Sequence, residues 1–131
     1  MFKVSEAVAI SFHVMIYITN RESQVCSLKE IAEKFNISDH HLSKVLQRFV
    51  KLGVLKSAKG PKGGFSIVSK YKDTTLLEIY EIIEGKIIRH DCIFSSNKNN
   101  CSKCIMNNLL ERMNDEFIEY MKNHKISDFA L

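Results

Sequence analysis

Apolar residues recur at helical spacing in five stretches of this chain, and a glycine-rich interruption separates the third stretch from the fourth. Residues 4–18, VSEAVAISFHVMIYI, are apolar nearly all round, which predicts a buried helix. In SLKEIAEKF, residues Leu28, Ile31, Ala32 and Phe35 share one face. Ser27 is placed to cap that helix and Glu30 to complete a capping box. A three-residue turn, NIS, follows. Ser38 then caps a further helix that runs to about Leu52, and Gly53 ends it.

That further helix has two faces. Leu42, Val45, Leu46 and Phe49 fall at i, i+3, i+4 and i+7 and must point to a core. His40, Lys44, Gln47, Arg48 and Lys51 occupy the other side. Two short helices joined by a tight turn, the second with a basic stripe, predict a helix-turn-helix. Two β-prone runs follow, Val54 to Ala58 and Phe65 to Ser69, around KGPKGG. Glycine and proline supply the turn, with Gly63 and Gly64 expected at positive φ, and Lys59 and Lys62 sit at the tip. A basic hairpin directly after a recognition-type helix predicts the wing of a winged helix.

TTLLEIYEIIEG predicts a capped helix with Leu76, Ile79, Ile83 and Tyr80 inward. IMNNLLERMNDEFIEYMKNH predicts a long amphipathic helix with Met106, Leu109, Leu110, Met113, Phe117 and Met121 as its stripe, suited to dimerisation. The expected fold is mainly α with a small β-hairpin wing. Residues 1–85 form the winged helix-turn-helix, and residues 86–131 form the cysteine loop and dimerisation helix, all in one compact unit.

Charge sharpens this picture. The net charge of +4 is unevenly spread, because no acidic residue lies between Asp39 and Asp73. That window holds Lys44, Arg48, Lys51, Lys56, Lys59, Lys62, Lys70 and Lys72, while the remaining 11 basic residues face all 15 acidic ones. A basic block in an otherwise acidic chain is the footprint of a polyanion site. No apolar run is long enough to span a membrane, and the N-terminus lacks a basic leader and cleavage site, so a cytoplasmic protein without membrane contact is expected.

Three of the four cysteines, Cys92, Cys101 and Cys104, lie within HDCIFSSNKNNCSKC, a polar stretch that can bury little. Reduced cytosolic thiols argue against a structural disulfide. An iron–sulfur cluster, a structural zinc and a thiol–disulfide switch all remain open. Cys101 and Cys104 precede a helix whose N-terminus favours thiolate. Candidates for a fourth ligand are His13, His90, Asp91 and Asn107, whereas Cys26 is expected in the core. A thiol redox enzyme would need a βαβ setting that is absent, and no phosphate loop or nucleophile elbow occurs, so an enzyme is not expected.

The string SLKEIAEKFNISDHHLSKVLQRFVKLGVLKSAKGPKGGFSI, then TTLLEIYEIIEG, then a cysteine loop, resembles the Rrf-two family of bacterial transcription regulators. The resemblance covers essentially the whole chain. It implies a homodimeric winged helix on a palindromic operator in double-stranded DNA, with the long C-terminal helix crossing to the partner. In sensing members three loop cysteines hold an iron–sulfur cluster, which implies Cys92, Cys101 and Cys104 as ligands of a two-iron or four-iron cluster that purification can remove. The spacing here is eight residues and then two, the second gap being shorter than the family's usual one. Some relatives draw a ligand from the partner's first helix, with ALH where this chain has SFH, which makes His13 the first choice.

A recognition helix in the major groove would bring His40, His41, Ser43, Lys44 and Gln47 nearest the base edges, with Ser38 at its start. Arg48 and Lys51 are expected at phosphates. The wing tip, Lys59, Gly60, Lys62 and Gly63, is expected at the backbone or the adjacent minor groove.

Overall fold

The computed structural model describes residues 4–21, 24–93 and 103–129. Among these residues the architecture is a winged helix with five α-helices and a two-stranded antiparallel hairpin. Helix α1 spans Glu6–Asn20, with Ser5 capping it through Val8 N–H. It is the central post, packing against the third and fourth helices, the second strand and the C-terminal turn. Val8, Val14, Met15 and Ile18 have no or almost no exposure. The helix is not buried all round, since Glu6 and His13 face outward.

Helix α2, Leu28–Phe35, carries the expected capping box: Ser27 Oγ accepts from Glu30 N–H at 3.1 Å, and Glu30 Oε1 accepts from Ser27 N–H at 2.8 Å. The same Glu30 takes a hydrogen bond from the Tyr17 hydroxyl at 3.0 Å, tying α2 to α1. Asn36 ends α2 in the left-handed region, and Ser38 then caps α3, Asp39–Lys51, through His41 N–H at 3.2 Å. Leu42, Val45, Leu46 and Phe49 are buried as their spacing required.

Strands β1, Leu55–Ala58, and β2, Gly64–Ile67, pair in the register Leu55↔Ile67 to Ala58↔Gly64. Cys26 adds an isolated bridge on the far side of β2, exchanging two backbone hydrogen bonds with Phe65 at 2.8 Å each. That close approach explains Gly64. At φ +150 a Cβ there would lie 2.1 Å from the Cys26 carbonyl oxygen. Gly63 departs from the expectation of positive φ, and Gly60 takes that conformation in the turn instead. Gly63 is required by space, because its Cβ would lie 2.2 Å from the Ala58 oxygen.

Helix α4, Leu76–Glu84, is capped by Thr75 and Glu78 and buries Leu76, Ile79 and Tyr80, while Ile83 is half-buried. Helix α5 spans Leu109–Asn123, so Met106 lies in the turn before it rather than in its stripe. The remaining stripe splits into two rows. Leu110, Asn114, Phe117 and Met121 turn inward, with the Phe117 ring edge-on to Tyr80 at 5.8 Å. Leu109, Met113 and Tyr120 stay exposed, and the last two border a shallow apolar cleft with Phe12 and Leu76. After α5 the chain returns to the core. Ile126 is fully buried, and backbone bonds link residues 124 and 126 to residues 76 and 74. Among the described residues no helix is long and apolar enough to cross a membrane.

Candidate nucleic-acid interface and cysteine site

Because α3 buries its apolar stripe against α1 and α2, its polar residues are turned away from the core. His40, Lys44, Gln47, Arg48 and Lys51 are exposed, and His41 and Ser43 are half-buried at the margin of the same face. Ser38 sits at the start of the helix, with its hydroxyl already engaged as the cap. The hairpin follows α3 at once, held by Val54 N–H to the Phe49 carbonyl at 3.0 Å. Lys59, Gly60 and Lys62 are exposed at its tip, and Gly63 is half-buried beneath them.

Arg48 is the exception to a simple phosphate-facing row. Its Nη1 donates to the Ile83 carbonyl at 2.9 Å. The last turn of a helix leaves carbonyls without intrahelical donors, and a guanidinium is suited to satisfy them. The sequence gives no signal for this contact, since the two residues are 35 positions apart.

The cysteines fall into different environments. Cys26 is buried, at 2% exposure, and burial, with Glu30 adding to it, pushes its thiol up. Cys92 is half-buried and Cys104 exposed, while Cys101 lies outside the described residues. The Cys104 thiol is held below its ordinary range, first by the backbone N–H of Asn108 and then by those of Met106 and Asn107. Asn107 and Asn108 both adopt positive φ, 49° and 58°, an unusual pair for residues other than glycine. Arg112 Nη1 donates to the Asn107 carbonyl at 2.5 Å and holds the turn in place. Backbone N–H groups that face a sulfur favour its charged form, the form a metal requires.

The residues before Cys92 are also fixed. Arg89 pairs with Asp91 at 3.1 Å and with Asp115 at 2.6 Å, and Asn114 donates to the Asp91 carboxylate at 3.1 Å. Asn114, followed by Arg89, holds the Asp91 carboxyl below its ordinary range. Among the candidate fourth ligands, Asp91 therefore has an oxygen already committed, and His90 and Asn107 are exposed.

His13 is exposed rather than a core residue, with its ring edge-on to Phe35 at 6.1 Å. Its Nδ1 lies 2.7 Å from the Ala9 carbonyl, an acceptor only, so Nδ1 carries the proton. In the neutral ring, Nε2 then presents its lone pair, the form a metal takes. Among the described residues no three His, Cys, Asp or Glu side chains come together to hold a metal, so one chain does not unite His13 with Cys92 and Cys104.

A family profile named Rrf2 and described as an iron-dependent transcriptional regulator matches residues 4–130. The chain belongs to the Rrf2 family. The HTH-type transcriptional regulator NsrR of Bacillus subtilis is 28% identical over 120 residues, covering 91% of this chain and 82% of that protein. CymR, the global cysteine regulator of B. subtilis, superposes with a TM-score of 0.78 at 23% identity, covering 98% of this chain and 95% of that one. IscR of T. potens superposes with a TM-score of 0.70 at 23% identity, covering 97% and 85%. At these structural identities the likeness concerns the fold, and the expected winged helix is found. This Rrf2 protein is a transcriptional regulator, a role consistent with the basic, outward face of α3.

Proposed function

We propose that this regulator binds a palindromic operator as a homodimer and adjusts that binding through metal held by Cys92, Cys101 and Cys104. The carrying observation is the Cys104 sulfur, exposed ahead of α5 with its thiol held below the ordinary range by the backbone N–H groups that follow it. That donor set fits an iron–sulfur cluster, because sulfur ligands that accept several N–H bonds are stabilised in the charged form a metal requires. His13 of the partner subunit is the proposed fourth ligand, its Nε2 lone pair left outward by the bond to Ala9. A cluster there supplies a centre that oxygen, nitric oxide or iron loss can alter.

The protein's own residues do the rest. Lys44, Gln47 and the histidines at the start of α3 address the bases, and Lys51 with the wing lysines addresses phosphates. Leu109, Met113 and Tyr120, apolar and exposed, form the proposed dimer seam along α5. Ligation that ties the loop to the partner's α1 biases the spacing of the two recognition helices. A thiol–disulfide switch is the second reading, favoured by the same exposed, low Cys104 thiol.

Binding of DNA flanking the protein's own gene, titrated anaerobically with metal-loaded and metal-stripped protein, tests the proposal. The two forms should differ in affinity by about 5–150-fold, the usual range of allosteric coupling. Equal affinities would remove the switch, and no binding at low salt would remove the operator.

A further inference from the structure

Asn114 occupies the inward row of α5 between Leu110 and Phe117 and is 1% exposed. A buried amide is costly unless it is hydrogen-bonded. Here Nδ2 donates to the His90 carbonyl at 3.2 Å and to Asp91 Oδ1 at 3.1 Å, which uses both of its hydrogens. Arg89 reaches the same Asp91 oxygen from Nη2 at 3.1 Å and Nε at 3.3 Å, and its Nη1 holds Asp115 at 2.6 Å. Three consecutive residues immediately before Cys92 are thus anchored to the second turn of α5. Cys104 stands in the turn that leads into the first turn of the same helix. One rigid element therefore references both cysteines.

We propose that Asn114 is a positioning residue which, with Arg89 and Asp115, fixes the backbone before Cys92 on α5, so that Cys92 and Cys104 are set in place before any metal arrives. The consequence for ligation rests on the reading that these thiols bind metal. Preset ligands spare the ordering cost that a loose chain meets on binding, and partners of this outer kind typically change metal affinity by about 10–100-fold.

The test uses the full-length, reduced, metal-free protein under limited trypsin, with fragments mapped by mass. Arg89 must leave Asp91 and Asp115 to enter the protease, so cleavage after Arg89 reports opening of the clamp. Asn114→Leu, which keeps the row filled, should raise that cleavage about tenfold relative to cleavage after Lys103. It should also weaken cadmium binding, read from thiolate charge-transfer absorbance, by about 10–100-fold. If Asn114→Leu does not fold, Asp115→Asn at its exposed position should shift both readouts in the same direction by a smaller factor. Wild-type cleavage after Arg89 in the folded variants would overturn the proposal. Should the wild type take up no cadmium while Arg89 still opens in the variants, the clamp stands and the ligation reading falls.

Discussion

Arg48 of the recognition helix donates to the backbone carbonyl of Ile83, at 2.9 Å, in the last turn of α4. Two residues beyond that carbonyl, Gly85 ends the helix and the chain turns toward Cys92. The side chain is therefore a strut between the DNA-reading helix and the segment that leads to the cysteines. Arg48→Ala should leave the salt dependence of DNA binding unchanged and lower the melting temperature slightly. A slope reduced by about 0.9 would return Arg48 to the phosphates.

The wing lysines should behave in the opposite way. Replacing Lys59 and Lys62 with Ala should weaken binding to all sequences alike and reduce the slope of log affinity against log salt by about 0.9 for each lost contact. Titrations across a range of salt concentrations measure this, and an unchanged slope would take the hairpin out of the interface.

Gly64 joins the wing to the body of the protein through its approach to Cys26. A side chain there meets backbone, not a movable group, at 2.1 Å. Gly64→Ala should cost about 2 kcal/mol or more, read by thermal or denaturant unfolding. A neutral substitution would mean that the Cys26–Phe65 bridge is dispensable.

Thiol reactivity should separate the cysteines. Because the Cys104 pKa is lowered, its thiolate persists to lower pH, and its alkylation rate should fall only below that lowered value. Burial raises the Cys26 pKa and shields it, so it should react slowly and only at higher pH. Iodoacetamide labelling of metal-free protein, followed by peptide mass analysis across pH, checks the order. Faster labelling of Cys26 would contradict it.

The dimer seam makes a further demand. Leu109→Lys with Met113→Lys alters exposed positions, so the fold should survive while sedimentation shifts from dimer to monomer. A wild type that sediments as a monomer at micromolar concentration would exclude the seam.

Much of the fold was legible because local signals agreed with tertiary need. Ser27 with Glu30, and Ser38, cap where their spacing indicated, and the helix of TTLLEIYEIIEG is capped as expected, by Thr75 with Glu78. The four-residue apolar row of α3 could only face inward. The contacts that couple these elements were not legible, because they join residues far apart in sequence. Arg48 reads as one more surface cation until Ile83 is seen beside it. The bridge from Cys26 to Phe65 leaves no mark at position 26 beyond an apolar residue. Asn114 did leave a faint signal, a polar residue at i+4 from Leu110 and i−3 from Phe117 within an apolar row. The two rows of α5 differ by a single position, and hydrophobicity alone does not separate them.

Cys92, Cys101 and Cys104 are proposed to hold an iron–sulfur cluster. Anaerobic purification with iron, zinc and acid-labile sulfide analysis of the wild type and Cys104→Ala tests it most directly. Iron and sulfide are expected in the wild type and should be lost in the variant. Stoichiometric zinc without sulfide, or thiols that cycle to a disulfide with no metal bound, would contradict it.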